Sequence, residues 1–159
     1  SNQERLNDNL SWRFFTDGVM GGLSQGAVKK DNIKGVQCYR MTGDVTTENN
    51  GGFIQIRLDL DNKIKINKYE GLYIKIYKNK QKYYLHIRTG LTLAPWQYYS
   101  HSFIANNQWT TIKTSLKDFK RSNYYQPKKL DNQKIKTIGL VAGFDNYKAD
   151  ICLAEIGLY

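Results

Sequence analysis

Two carboxylates and two histidines are the first candidates for chemistry in this chain. Asp17 stands in Phe15-Thr16-Asp17-Gly18-Val19-Met20-Gly21-Gly22-Leu23-Ser24-Gln25-Gly26, and Glu48 opens Glu48-Asn49-Asn50-Gly51-Gly52-Phe53. If the two loops are neighbours, Asp17 and Glu48 make a carboxylate pair, an arrangement suited to proton transfer or to holding Ca²⁺. The loops offer few further oxygen ligands, so no metal and no cofactor is expected. His86 and His101 are the only histidines, and neither lies in a nucleophile, zinc or phosphate-loop motif. Both fall on outward strand faces, where a histidine is usually a solvated residue. With no nucleophile legible beside a base, the expectation is a non-catalytic protein.

Binding chemistry is better supplied. Gln55, Arg57, Tyr84, His86, Arg88, Tyr99 and His101 read as outward residues of strands that adjoin in one sheet. Aromatic faces stack on sugar rings or bases, and Arg and Gln add hydrogen-bond forks. Trp96, in Thr92-Leu93-Ala94-Pro95-Trp96-Gln97-Tyr98, belongs at the rim of such a face. The rival reading is a solvated face whose tyrosines follow strand propensity. The candidate binding residues are Asp17, Met20, Glu48, Asn49, Asn50 and Arg57, with Tyr84, His86, Arg88, Trp96, Tyr99 and His101. Gly18, Gly21, Gly22, Gly51 and Gly52 are assigned to loop structure, with Asp17 accepting loop N–H groups through its short side chain.

The elements that must position these residues are strands. Ile54, Ile56 and Leu58 alternate with Gln55 and Arg57; Leu72, Ile74 and Ile76 with Tyr73, Lys75 and Tyr77; Leu85 and Ile87 with Tyr84, His86 and Arg88. Strict alternation rich in Ile, Tyr, Thr and Phe marks a strand buried on one face. Further strands are expected at 11–16, 26–31, 36–43, 97–104, 109–114, 134–142 and 150–158. Residues 71–89 read as a hairpin closed by Lys78-Asn79-Lys80-Gln81. Ser115 to Phe119 can form a turn of helix, and Lys120 to Leu130 a polar loop. About ten strands without a long helical pattern predict an all-β sandwich or jelly roll.

A chain of 159 residues fits one domain, here taken as 11–159 after a flexible lead over 1–10. The hydrophobic fraction is 40% and the mean hydropathy −0.62, as in soluble globular chains. No stretch approaches the ~18–20 continuous apolar residues of a membrane helix. The net charge of +10, from 24 Lys and Arg against 14 Asp and Glu, favours acidic partners, including nucleic acid. Its lysines are spread over strands and turns, so a solvated basic surface is the preferred reading. Cys38 and Cys152 lack metal-ligand spacing and lie in apolar runs, which predicts buried free thiols and a reducing compartment. The corresponding location is intracellular, in a bacterial cytoplasm. The chain starts with Ser1 rather than Met, so a removed targeting peptide stays open.

The glycine loops carry a resemblance. Trp12, Asp17 to Ser24, and Glu48 to Phe53 with Arg57 resemble the complex I intermediate-associated protein 30 family. Tyr69, Gly71-Leu72, Tyr84 to Thr89, Phe103, Trp109, Leu116 with Phe119, and Ile138-Gly139 fit it as well. The resemblance runs from about residue 10 to the end and implies a galactose-binding-like jelly roll. It also implies a chaperone-like module binding protein partners, respiratory complex I assembly intermediates among them. A carbohydrate-binding module and an RNA-binding basic domain are the alternatives, with nucleic acid the less favoured partner.

Overall fold

The computed structural model describes residues 4–7, 12–20, 22–48, 52–104 and 107–159, with backbone only at Val19, Met20, Asp61 and Asn62. Among the described residues the strands are β1 (Glu4–Arg5), β2 (Trp12–Thr16), β3 (Gln25–Ile33), β4 (Val36–Val45), β5 (Phe53–Lys65) and β6 (Gly71–Lys78). They continue with β7 (Tyr83–Thr89), β8 (Tyr99–Phe103), β9 (Thr110–Ser115), β10 (Lys120–Arg121), β11 (Lys134–Gly143) and β12 (Tyr147–Leu158). One antiparallel sheet runs β3-β4-β12-β6-β9, with β1 also on β12; the other runs β10-β8-β7-β11-β5-β2. The fold is the jelly-roll β-sandwich that the alternation predicts.

The period of two explains the layering. Ile54, Ile56, Leu58, Leu85, Ile87, Ile138 and Leu140 line the inner face of the second sheet. Leu72, Ile74, Ile76, Ile151 and Ile156 answer them from the first, and all twelve are at most 1% exposed. Each such side chain contributes about 1.5–3 kcal/mol relative to exposure. Ser115 caps a short 3₁₀ turn over Leu116–Asp118, its hydroxyl accepting from the Lys117 amide, so the expected turn of helix forms.

Four expectations need correction. The 71–89 hairpin does not form: β6 pairs with β12 and β9, whereas β7 pairs with β11 and β8. Residues 79–82 therefore pass from one sheet to the other, held by the Asn79 side chain on the Lys148 carbonyl. Alternation tells which face a strand buries and is silent about its neighbour.

Tyr99 and His101 point inward, not outward. Opposite residues of paired strands share a face, and Tyr99 faces Ile87 while His101 faces Leu85. Tyr99 is fully buried and its hydroxyl accepts from Gln133 Nε2 at 2.9 Å; His101 lies against Phe119.

Cys38 and Cys152 are buried as expected but joined in a disulfide, with Cα atoms 5.5 Å apart. Both sit on the outer face of the first sheet, on adjacent strands β4 and β12. Finally, the lead read as flexible is pinned where it is described: Glu4 and Arg5 pair with the end of β12 and Leu6 is buried.

Candidate binding cleft

Asp17 ties the two glycine loops together. Its carboxylate accepts from the Ser24 amide (3.0 Å), the Ser24 hydroxyl (2.5 Å), the Gly52 amide (2.5 Å) and the Phe53 amide (3.2 Å). Gly52 has φ +135°, a backbone region closed to side chains, so this donor can be placed only by a glycine. Burial alone would push the Asp17 carboxyl up. The Ser24 hydroxyl and the Gly52, Phe53 and Ser24 amides outweigh it and hold the group below its ordinary value. Glu48 is exposed, whereas Asp17 is fully buried with its carboxylate occupied by these amides and the Ser24 hydroxyl.

Gly52 and Phe53 also begin the wall of a cleft of about 1140 Å³ over the outer face of the second sheet. Strand register sets its floor. Across the sheet, Arg13 faces Arg57, Arg57 faces Gly139, and Gly139 faces His86; one row over, Phe15 faces Gln55 and Gln55 faces Val141. Arg57 and His86 thus flank a glycine, with two strand spacings, about 10 Å, between their Cα atoms. A Cβ on Gly139 would stand 2.9 Å from Gln55 Oε1, so the buried Gln55 side chain packs closely over this glycine and itself lines the cleft.

A bulge between Ile135 and Thr137 shifts the register of β11 and turns both Lys136 and Thr137 to the cleft side, while Ile135 and Ile138 stay in the core. Residues 92–98 arch over the β7 side of the cleft. Arg88 holds that arch by donating to the carbonyls of Ala94 (3.4 Å), Pro95 (2.6 Å) and Gln97 (3.0 Å). Tyr98 stacks on His86 with centroids 4.0 Å apart, and Trp96 stands 66% exposed at the rim. Phe144 closes the other end in a left-handed conformation (φ 65°) that costs a non-glycine residue roughly 1 kcal/mol. Its ring packs edge-on against Tyr84, 5.0 Å between centroids.

Two polar atoms in this wall lack partners. His86 Nε2 and Thr137 Oγ1 are buried and hydrogen-bonded to nothing among the described residues, although both residues line the cleft. Burial, reinforced by the positive charges of Arg88 and Arg57, pushes the His86 imidazole down to about 3, so the ring is neutral at physiological pH. The unfolded chain takes up that proton near pH 6.5. Between these values it binds more protons than the folded one, and stability must fall on acidification. The urea midpoint of the protein should drop as pH falls from 7.5 to 5, by about 2 kcal/mol in unfolding free energy. His86→Phe should flatten that limb; an equally steep limb in the variant would show that another group titrates.

Of the sequence candidates, the cleft gathers Arg57, His86, Arg88 and Trp96. Tyr84 stands behind Phe144, and Arg88 acts by positioning the arch. Asp17 belongs to the loop junction, with Gly52 as its donor. Gly18 donates its amide to Thr16 Oγ1, and Gly22 donates to the Asp17 carbonyl. The side chain of Met20, and Gly21, Asn49, Asn50 and Gly51, lie outside the described residues. Sequence reading missed Phe15, Phe53, Tyr98, Thr137 and Phe144. Thr137 left a signal: Ile135 and Ile138 are three apart in an otherwise alternating strand, the mark of a bulge.

The two-sheet jelly-roll sandwich, with this cleft on the outer face of one sheet, is a galactose-binding-like fold. The chain belongs to the complex I intermediate-associated protein 30 (CIA30) family, whose sequence pattern matches residues 1–154. No curated protein sequence matches it individually. Among solved structures it is similar to the family 11 carbohydrate-binding module of the cellulosomal cellulase Lic26A-Cel5E of Clostridium thermocellum. The TM-score is 0.79 at 18% identity, covering 99% of this chain and 94% of that one. The Clostridium thermocellum family 11 module in complex with a β-1,3-1,4-mixed-linked tetrasaccharide gives 0.77 at 18% identity, over 98% and 94% of the two chains. A family 30 carbohydrate-binding module gives 0.63 at 13% identity, over 87% and 91%.

Proposed function

We propose that this chain is a non-catalytic carbohydrate-binding module whose ligand lies in the cleft over β5, β11 and β7. The observation that carries this reading is the pair of buried, unpartnered atoms, His86 Nε2 and Thr137 Oγ1, in a cleft whose lining also includes the rings of Phe15, Phe53, Trp96, Tyr98 and Phe144. A buried polar atom without a partner costs about 1–3 kcal/mol. A sugar hydroxyl, donor and acceptor at once, satisfies either atom once the side chains covering it shift aside, while the apolar face of a pyranose stacks on Tyr98 or Trp96. The strained Phe144 supports the reading: glycine would relax that turn, and the ring it carries faces the cleft. The likeness to carbohydrate-binding modules agrees in fold.

Calorimetry against a panel of soluble neutral and acidic glycans tests the proposal. Saturable binding is expected, and its absence for every glycan in the panel counts against the reading. Trp96→Ala should weaken binding about fivefold, the worth of one aromatic contact.

The family's own description favours a second reading, a protein-interaction module acting on assembly intermediates of respiratory complex I. If no glycan binds, and the immobilised protein retains such intermediates from a membrane extract, function moves to that reading. The Cys38–Cys152 bridge fits an oxidising compartment better than a cytoplasm, and supports the glycan reading.

A further inference from the structure

The floor of the cleft is cationic, and its charges are unequally satisfied. Four cationic side chains, Arg13, Arg57, Arg88 and Lys136, face one carboxylate, Asp59. Arg13 is taken by Asp59 in a two-point pair, and Arg88 by the three carbonyls of the arch. Arg57 is different. Among the described residues its guanidinium makes no hydrogen bond and no ion pair; it lies over the Phe15 ring, 4.4 Å from the centroid. Burial first, then the charges of Arg88 and Arg13, pull its pKa down to about 10 against the opposing charge of Asp59, and the group stays charged at neutral pH. A half-buried cation without a counter-charge is costly; a neutral sugar offers it hydroxyl acceptors, and an acidic one adds the opposite charge.

Building on the glycan reading of this cleft, we infer that its ligand is an acidic polysaccharide, with a uronic acid carboxylate held by the free guanidinium fork of Arg57. The planar fork matches a carboxylate in two parallel bonds, each roughly twice as strong as a neutral one. Neutral His86, across Gly139, then serves as a hydrogen-bond partner for a ring hydroxyl, and Thr137 for another.

The test uses the whole protein in calorimetry at 0.15 M salt with three probes: an oligogalacturonate, the same oligomer with its carboxyls reduced to alcohols, and a mixed-linkage β-glucan oligomer. The oligogalacturonate should bind at least tenfold more tightly than the reduced form. Arg57→Gln should remove that preference while keeping its thermal midpoint, and Lys128→Gln/Lys129→Gln, outside the cleft, should leave it intact. Equal affinity for the acidic and neutral oligomers, unaffected by Arg57→Gln, overturns the inference and leaves the module a neutral-glycan binder. Equal losses in the Arg57 and Lys128/Lys129 variants would assign the preference to the overall charge of +10 and also overturn it. Binding to none of the three, nor to any glycan in the wider panel, removes the glycan reading itself.

Discussion

Asp17→Ala is expected to destabilise the protein by about 3–5 kcal/mol, among the largest effects of any single change. The carboxylate has no exposed surface and satisfies three backbone amides from two loops 28 residues or more apart in sequence, Ser24 on one side and Gly52 with Phe53 on the other. Alanine leaves all three without an acceptor, each at about 1–3 kcal/mol, less what water entering the gap returns. The Ser24 hydroxyl loses little, because it also contacts the Thr46 carbonyl and accepts from the Thr46 amide.

The same contacts fix an acid limb. A carboxyl held below its ordinary value of 3.8 contributes its full stability above that pH and loses it as pH falls through the folded value. That window opens at 3.8, inside the lower end of the His86 limb that runs from 6.5 to about 3, so the two are told apart by the flattened upper limb of His86→Phe. Asp17→Asn, which keeps one acceptor oxygen but points an amino group at amides, should fall between wild type and alanine. If both variants unfold within 0.5 kcal/mol of wild type, the loop junction is incidental to stability.

How much of this was legible in the sequence follows from the range of each interaction. Ile54-Gln55-Ile56-Arg57-Leu58 declares its faces because burial on one side is enough to write a period of two, and Arg57 and His86 were placed on the outer face by that rule. Asp17 beside glycines was readable for a similar reason: a short acceptor in a tight loop has mostly backbone amides within reach. Neighbour relations were not readable. Whether Tyr83 follows Lys78 into the same sheet or the opposite one depends on packing across the sandwich, and the turn 79–82 permits both. Tyr99 and His101 turned inward because β8 takes its register from β7, a fact absent from residues 97–104 themselves. Tyr98 and Trp96 reached the cleft through Arg88, whose hydrogen bonds bend the arch over the sheet; sequence alone offered Arg88 as a ligand-binding residue instead.

Removing the disulfide is the second large effect. Cys38 and Cys152 are 114 residues apart, a separation for which the loss of chain entropy in the unfolded state amounts to about 4–5 kcal/mol as a ceiling. Cys38→Ala/Cys152→Ala should therefore cost about 2–4 kcal/mol and lower the thermal midpoint by roughly 5–15 °C. The native sheet itself should survive, because β4 and β12 remain joined by their ladder and by Arg40, which grips Asp150 at 2.9 and 2.7 Å and Asp31 at 3.0 Å. With Cys38 6% exposed and Cys152 fully enclosed, dithiothreitol should release no titratable thiol from the folded protein and two once denaturant is added. The bridge lies on the outer face of the first sheet and the cleft on the outer face of the second. The double variant should accordingly melt earlier yet bind glycan with unchanged affinity at 25 °C. A midpoint equal to that of wild type, or two thiols titrating in the folded protein, would contradict the bridge; a parallel loss of binding would instead tie the two faces of the sandwich together.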